Sequence, residues 1–214
     1  MGPEESGMAL EAPEAADAAE AIRDATEGRA DNERFRRRAA IAIGVTAMLL
    51  AISGLGGGNA TKEMLNANIQ ASDTYAFYQA KNIRQTSNQL AADELDALLL
   101  AQPGISADAR AQIAARIDQY KATAARYESE PSTGEGKQEL LVKAQAFDQR
   151  RDRAARQDPN FDFAQAFFQI SIVLGSVSIV AASRPLLLLG LGLGGVATLL
   201  MLNGFLLLFE LPFG

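Results

Sequence analysis

The chain has 214 residues, a formal net charge of -6, and no cysteine, histidine or tryptophan. The absence of cysteine excludes disulfides, thiolate metal sites and thiol nucleophiles, and the absence of histidine removes the commonest general base and metal ligand. The acidic balance argues against nucleic-acid binding, which needs a basic surface. No carboxylate lies on an apolar wall that would raise its pKa for acid–base chemistry, so we predict a non-enzymatic protein without cofactor or metal.

The chain begins with an acidic, alanine-rich segment, residues 1–33. It holds ten acidic residues against two arginines and almost no large apolar side chain. Such a segment buries too little surface to offset the entropy cost of ordering. We therefore predict a disordered acidic tail with a solubilising role, in which Ala15 to Thr26 can form a transient helix; a docking role is the alternative.

Residues 34–58 combine a basic flank with an apolar run that is long enough for one membrane crossing. The flank consists of Arg34, Arg36, Arg37 and Arg38. Thr46, Ser53 and several glycines weaken this first span, so a re-entrant segment is an alternative. A long acidic leader precedes the run and the run has no clear small-x-small cleavage site, which favours an uncleaved anchor over a signal peptide. The triplet Gly56-Gly57-Gly58 predicts that the helix ends or kinks there.

Residues 59–160 have a soluble character and predict helices throughout, with no strand. The first helix is expected to start at a cap at Asn59 or Thr61 and to run to about Gln102, before the break at Pro103-Gly104. Its predicted apolar stripe has a four-three spacing. The stripe consists of Leu65, Ile69, Ser72, Ala76, Gln79 and Ile83, continued by Leu90, Ala91, Leu95, Leu98 and Leu99.

Two shorter helices are predicted after this break. Ser106 should cap the second helix, and Ser132 with Glu135 is typical of a capping box for the third, which Asp158-Pro159 should stop. Their stripes are Ile113, Ile117, Tyr120, Ala124 and Tyr127, then Leu140, Ala144, Phe147, Arg151 and Ala154. Together the three helices predict a long, coiled-coil-like antiparallel hairpin. Because the stripes are narrow, we expect neighbouring copies to complete the core.

The C-terminal residues predict two further transmembrane helices, in segments 161–183 and 184–214. Each apolar arm approaches or exceeds the roughly 20 residues that cross a ~30 Å hydrocarbon core, and neither 163–182 nor 185–209 contains an ionisable residue. The short turn between them makes the arms antiparallel neighbours. The fold class predicted is therefore an all-α integral membrane protein with three transmembrane helices and a soluble helical hairpin inserted between the first and second.

Small residues on the last span predict close helix packing. Gly190 and Gly194 form a small-xxx-small pair, for which Gly175 and Ser176 offer a matching surface. Asn203 is the one strongly polar residue deep in this span, and we expect it to hydrogen-bond across helices. The Gly190–Gly194 groove is also a candidate contact between copies.

The positively charged residues give a divided prediction of topology. The N-terminal arginines and Arg184 favour a cytoplasmic N-terminus with the hairpin outside, whereas Arg150, Arg151, Arg153 and Arg156 favour the hairpin inside. The first span usually sets orientation, so we predict a bacterial inner-membrane protein with its N-terminus cytoplasmic and its hairpin periplasmic. A re-entrant first segment would instead leave the soluble part cytoplasmic.

Three stretches resemble an uncharacterised bacterial membrane family, domain of unknown function 4337. They read Asn-Ile-Gln-Ala-Ser-Asp-Thr-Tyr-Ala-Phe-Tyr-Gln-Ala-Lys at 68–81, Ala-Ala-Arg-Tyr-Glu-Ser-Glu at 124–130, and Asp-Pro-Asn-Phe-Asp-Phe at 158–163. The resemblance extends from about Arg34 to the C-terminus. It implies a bacterial membrane protein with this order of segments, and it brings no activity and no catalytic residues.

Two groups of side chains are candidate contact sites. One is a patch on the long helix that would serve a partner or a second hairpin: Asp73, Tyr75, Phe77, Tyr78, Lys81 and Arg84. The other is the basic cluster Arg150, Arg151, Arg153 and Arg156, which is either a site for anionic lipid headgroups or a solvated helix face. Packing between helices is the competing interpretation of the patch.

Three functions remain open on the sequence. The first is a structural scaffold that forms a homo-oligomer through its membrane helices and hairpin. The second is an oligomeric pore or small transporter, and the third is an accessory or sensor subunit that binds another membrane protein. The lipid bilayer is a partner in all three, and nucleic acid in none.

Overall fold

The computed structural model describes residues 12–210, and these form four helices without a strand. The helices are α1 (Ala12–Ala101), α2 (Ala107–Glu128), α3 (Lys137–Val180) and α4 (Arg184–Leu206). The all-helical prediction is confirmed for this part of the chain. Three of the helices, α1, α3 and α4, are long and apolar enough to cross a membrane by length and composition.

Helix α1 begins earlier than predicted. Residues 1–11 of the expected disordered tail lie outside the described part, but residues 12–33 are helical. Every side chain described in this stretch is exposed, so burial does not stabilise the helix here. Its alanine and glutamate content gives high intrinsic helix propensity, and Arg34 lies 3.5 Å from Asp31, one turn earlier.

The helix end predicted at Gly56-Gly57-Gly58 is wrong, because α1 continues through the triplet; the alternative of a kink there stays a prediction. Consequently neither Asn59 nor Thr61 caps a helix, and the Thr61 hydroxyl instead donates 2.8 Å to Asp158. Glycine is unfavourable in a helix by only about 1 kcal/mol. Tertiary packing at Gly56, described below, uses the missing side chain.

The predicted stop at Asp158-Pro159 is also wrong, because Pro159 lies inside α3. Proline removes a single backbone donor and strains the preceding turn. The next two residues, Asn160 and Phe161, are both buried and about 1% exposed. Their packing and hydrogen bonding hold the chain helical beyond the proline.

The described chain divides into two compact units. The first contains the residues up to Gly56 together with Asn160–Leu208, and the second contains Gly57–Pro159 with Phe209 and Glu210. The buried apolar core of the first unit is Ala39, Phe161, Ala164, Phe168, Ala197 and Met201. That of the second is Ala60, Ala67, Ala71, Ala92, Ile117, Ala124, Leu140, Ala144 and Ala154.

The helix ends in the second unit match the predictions in part. Ser106 caps α2 as expected, accepting a hydrogen bond from the Ala109 amide at 3.3 Å. The capping box at Ser132 and Glu135 is wrong, since α3 begins at Lys137. The carboxylate of Glu139 instead accepts the Ser129 hydroxyl at 2.6 Å and the Glu130 amide at 3.2 Å.

Between residues 60 and 90 the inward face of α1 is not the predicted one, whereas Ala91, Leu95 and Leu99 in the continuation of the stripe are half-buried. Of the predicted stripe, Leu65, Ile69 and Ile83 are 55%, 58% and 66% exposed. The buried positions between residues 60 and 92 are instead Ala60, Ala67, Ala71, Thr74, Lys81, Gln85 and Ala92. By contrast, the predicted stripes of α2 and α3 are buried or half-buried at every position. The core of the second unit is therefore built on small and polar residues of α1.

Candidate functional surfaces

The most prominent surface of the second unit is an apolar heptad row on the outside of α1, here called the outer stripe. It consists of Leu65, Ile69, Ser72, Ala76, Gln79, Ile83, Thr86 and Leu90, all exposed. The spacing alternates four and three residues without interruption, as in the seam of a coiled coil. Its large members expose more than half of their surface, so within the described chain no element covers them.

The opposite face of α1 carries a buried cation. Lys81 is 7% exposed, and its ammonium lies 3.5 Å from Glu135. The same nitrogen is 5.2 Å from the ring centroid of Phe77 and 5.4 Å from that of Tyr127. A carboxylate and two aromatic faces thus replace the water that this charge loses on burial.

A second polar cluster lies one turn further along, around Gln85. Its amide donates to the Ala124 carbonyl at 3.2 Å and to the Glu128 carboxylate at 2.9 Å. Lys137 donates to Gln85 at 2.6 Å and to Glu128 at 3.1 Å. The hydrogen bonds from Gln85, Lys137 and Gln138 stabilise the charged carboxylate and hold the pKa of Glu128 below its ordinary value.

The predicted contact patch is divided by the fold. Tyr75 donates its hydroxyl to Asp148 at 2.7 Å, and this bond raises the tyrosine's pKa. Tyr78 lies beneath the Lys137 ammonium at 5.7 Å, and Lys81 is buried as described. Asp73 and Arg84 remain exposed, with Phe77 37% exposed beside them. Tyr75, Tyr78 and Lys81 therefore make contacts within the unit, and Asp73 and Arg84 face outward. Phe77 does both, because its ring also lies against the Lys81 ammonium.

The basic cluster of α3 is partly engaged in ion pairs. Arg151 lies 2.8 Å from both Asp148 and Asp152, and its bond to Asp152 raises its pKa. The Arg156 guanidinium lies 3.4 Å from Glu210. Arg150 covers the ring of Phe147 at 5.9 Å, and Arg153 is exposed. The cluster is thus less free for headgroups than its sequence suggests.

The first unit holds a buried asparagine pair that matches the expectation for Asn203. The Asn203 side-chain amide donates to Asn160 Oδ1 at 2.7 Å, and both residues are 1% exposed. The sequence pointed to Asn203 because it stands alone in an apolar run. It did not point to Asn160, which lies next to Pro159 at a predicted helix start.

The small residues of α4 pack within the chain. Ser171 donates its hydroxyl to the Gly190 carbonyl at 2.7 Å. A Cβ at Gly190 would lie 3.5 Å from the Gly175 nitrogen, and one at Gly194 would lie 3.0 Å from the Ser171 hydroxyl. Gly175 is thus part of the matching surface, while Ser176 is exposed. The proposed groove between copies is occupied by the chain's own α3.

Sequence reasoning missed the packing of Phe161. A Cβ at Gly56 would lie 2.5 Å from its ring, and one at Gly204 would lie 2.8 Å from it. The Phe205 ring meets it edge-on, with centroids 4.8 Å apart. Ser53 donates to the Phe161 carbonyl at 3.3 Å. The two glycines thus make room for one aromatic ring. No local pattern in the sequence relates Phe161 to Gly56 or Gly204, because the three residues are distant in the chain.

These features define the class of protein: an all-helical chain with three helices that are long and apolar enough to cross a membrane. No cluster of metal-ligating side chains occurs among residues 12–210. The sequence profile of the family described as a domain of unknown function (DUF4337) matches residues 35–207. This match covers most of the chain, so the protein belongs to that family. No curated protein and no solved structure matches it.

Proposed function

We propose that this protein is a membrane scaffold that associates with copies of itself. Three transmembrane helices anchor it, and residues 57–159 form an antiparallel helical hairpin outside the bilayer. Side-chain pairs within the second unit support the hairpin. Along these pairs the residue number rises on α1 while it falls on the other arm, as expected for antiparallel helices. The pairs are Thr61–Asp158, Tyr75–Asp148, Lys81–Glu135, Gln85–Ala124 and Asp96–Lys121.

The side-chain distribution in the first unit supports membrane insertion. Its interior contains polar residues that are hydrogen-bonded within the unit, as Ser53, Ser171 and Asn203 are. Large apolar side chains such as Val173 and Leu199 face outward, 60% and 64% exposed. Buried, paired polar groups beneath an apolar exterior suit a hydrocarbon solvent, which cannot satisfy a polar group.

The proposed location is a bacterial inner membrane, with the N-terminus cytoplasmic and the hairpin periplasmic. Three crossings place Arg34 and Arg184 on the same side, which satisfies the positive-inside rule at the first span and at the α3–α4 turn. The arginines before the second span oppose this orientation, but two of the four, Arg151 and Arg156, form ion pairs with acidic residues. Long soluble segments also translocate largely regardless of charge.

The outer stripe is the observation that carries the proposal of self-association. Copies inserted in one membrane share an orientation, so their α1 helices run parallel and present the same stripe to each other. An uninterrupted four-three row of Leu, Ile, Ala, Ser, Gln and Thr can then close a seam between two copies. Burial of a Leu or Ile side chain contributes about 1.5–3 kcal/mol. A second copy is thus the occupant that the symmetry of the stripe fits best.

Cysteine crosslinking tests this seam, because the chain has no native cysteine. In a parallel seam, each residue of the stripe faces its own counterpart. Ile83→Cys should therefore form a disulfide-linked dimer on mild oxidation of native membranes. Arg84→Cys is the matched control, since residue 84 is exposed but turned about 100° around the helix. It should remain largely monomeric on denaturing gels.

Two results would contradict self-association. One is equal crosslinking of Ile83→Cys and Arg84→Cys, which would indicate random collision in the membrane. The other is a monomeric mass for the wild-type protein by native mass measurement, both in mild detergent and in lipid discs.

An accessory or sensor role is the second candidate, supported by the exposed half of the contact patch. Asp73 and Arg84 offer two opposite charges, and Phe77 offers an apolar anchor between them. Such a combination suits a protein partner. Pull-down from native membranes should return a stoichiometric partner that Asp73→Ala with Arg84→Ala releases, since both side chains are exposed. Retention of the same partner by that variant would count against the patch.

The pore remains a prediction that needs a path between copies. Within one chain, the space beside Thr46 and Ser171 is a cavity of about 10 Å³, close to the minimum for one water molecule. Ion flux in reconstituted vesicles tests the pore directly, and flux that is unchanged in Asn203→Leu would exclude Asn203 from any path.

A further inference from the structure

A cleft in the first unit combines arginines with leucines. It has a volume of about 560 Å³ and lies between one face of α1 and one face of α4. On α4, Arg184, Leu187, Leu188 and Leu191 line it, at the three-four spacing that places residues on one helix face. The cleft therefore has a cationic end at Arg184 and an apolar end at Leu191.

The facing side of α1 has the same polarity. Asp31, Arg34, Phe35, Arg38 and Ala42 line the cleft at the same helical spacing. Arginine lies at one end, and Ala42 belongs to the apolar run that follows. Arg34 lies 3.5 Å from Asp31, while Arg38 and Arg184 have no carboxylate within ion-pair distance in the described chain. Three arginines and one aspartate leave the cleft with a net charge of +2.

We propose that this cleft is a binding site for an anionic phospholipid. The headgroup phosphate lies among Arg34, Arg38 and Arg184, and an acyl chain follows the leucines of α4 towards the bilayer centre. Guanidinium groups suit phosphate because they donate several parallel hydrogen bonds. The apolar end matches an acyl chain and not a free anion. The proposal rests on membrane insertion as proposed above, and it is separate from the predicted cluster at Arg150–Arg156.

Charge complementarity favours a lipid over a protein segment as the occupant. The cleft begins where the basic flank meets the apolar run, the depth at which a headgroup meets hydrocarbon. Asp31 sits at the outer end, so it lowers the affinity for phosphate but leaves the apolar end unchanged. Asp31→Asn should accordingly bind the anionic lipid more tightly than wild type.

Native mass spectrometry of the full-length protein in mild detergent tests the site. The probes are phosphatidylglycerol and phosphatidylcholine with identical acyl chains. Wild type should bind phosphatidylglycerol preferentially, and Arg34→Gln with Arg38→Gln should reduce that affinity by about fivefold per arginine, from ~1 kcal/mol each. Arg36→Gln with Arg37→Gln is the matched control, because it removes the same charge from residues that do not line the cleft.

Three outcomes overturn the site. Equal losses in the two double variants would indicate general attraction to a basic segment. If wild type binds phosphatidylglycerol no better than phosphatidylcholine, the arginines do not select an anionic headgroup. If glycerophosphate competes as effectively as the lipid, the ligand is a free phosphate. If it competes more weakly, and Leu187→Ser/Leu191→Ser loses lipid binding, the acyl-chain contact is supported.

Alkaline carbonate extraction separates failure of the site from failure of the proposed function. A wild-type protein that carbonate releases from membranes is not inserted, and both proposals then fail. A protein that stays in the membrane but shows any of the three overturning outcomes loses only the lipid site. The two arginine double variants should stay in the membrane, because their substitutions lie outside the apolar runs; Leu187→Ser/Leu191→Ser lies inside one, so its loss of lipid binding counts only if carbonate leaves that variant in the membrane.

Discussion

Two glycines in the first unit make room for the ring of one aromatic residue. Phe161 is almost fully buried, and it fills the space that the absent side chains of Gly56 and Gly204 leave. Close packing of this kind tolerates no added methyl group unless the ring moves. Gly58, two residues away in sequence, has no atom within 4 Å of an added Cβ. Alanine substitutions at the three positions therefore distinguish the effect of packing from that of helix propensity.

Gly56→Ala and Gly204→Ala should each destabilise the protein by about 1–3 kcal/mol, because overpacking forces Phe161 to shift. Gly58→Ala should be neutral or stabilising by up to about 1 kcal/mol, since alanine is the better helix former. Thermal unfolding in detergent, followed by circular dichroism, measures all three. Destabilisation by Gly58→Ala equal to that by Gly56→Ala would contradict the explanation from packing against Phe161.

The buried asparagine pair is a second effect at the residue scale. Replacing Asn203 by alanine removes the donor that lies 2.7 Å from Asn160. A double-mutant cycle of Asn160→Ala and Asn203→Ala should give a coupling of about 0.6–2 kcal/mol, the range for polar contacts between membrane helices. Strict additivity of the two single changes would show that the bond contributes no net stability.

At the scale of elements, the second unit depends on polar contacts around the α2–α3 connection. Glu128 is held by Gln85 and Lys137, and Glu139 by Ser129 and the Glu130 amide. Both contacts lower the pKa of the carboxyl from its ordinary 4.5. The connection also requires Gly136, where an added Cβ would collide with the backbone of Ser129 and Glu130.

The lowered pKa values predict acid destabilisation with a defined sign. A carboxylate whose pKa is lower in the folded state contributes stability above 4.5, and that contribution is lost as the pH falls through the folded pKa. The melting temperature should therefore fall as the pH is lowered from 5 towards 3. Glu128→Gln with Glu139→Gln should be less stable at pH 7 and should lose less on acidification. A parallel loss in wild type and variant would assign the effect to other carboxylates.

At the scale of the whole molecule, topology is the property that an experiment can establish most directly. The proposed orientation places residue 28 in the cytoplasm and residue 102 in the periplasm. Both positions are exposed, and the chain has no other thiol. In intact cells, a membrane-impermeant maleimide should label Gln102→Cys and should label Gly28→Cys only after lysis. Labelling of neither before lysis would instead favour a re-entrant first segment.

Sequence reasoning succeeded where large apolar residues define one helix face. The stripes of α2 and α3 and the Ser106 cap follow from local spacing and local hydrogen bonding. It failed on α1 between residues 60 and 90, because there the stripe of large residues is exposed and alanines are buried. Small residues let α1 approach its neighbours closely. The buried Lys81 is paired with Glu135 in the α2–α3 connection, and the buried Gln85 donates to Ala124 on α2. Periodicity reveals that a helix has an apolar face, but not which surface covers it.

The sequence by itself determined the all-helical class, three helices with the length and apolarity of membrane spans, and membership of its family. Length, hydropathy and charge are sums over neighbouring residues, so they need no partner. Only the tertiary structure decided that α1 passes through its glycine triplet, that α3 passes through Pro159, and that the outer stripe is uncovered. Each depends on contacts between residues distant in the chain, and those contacts outweigh local preferences of only about 1–3 kcal/mol.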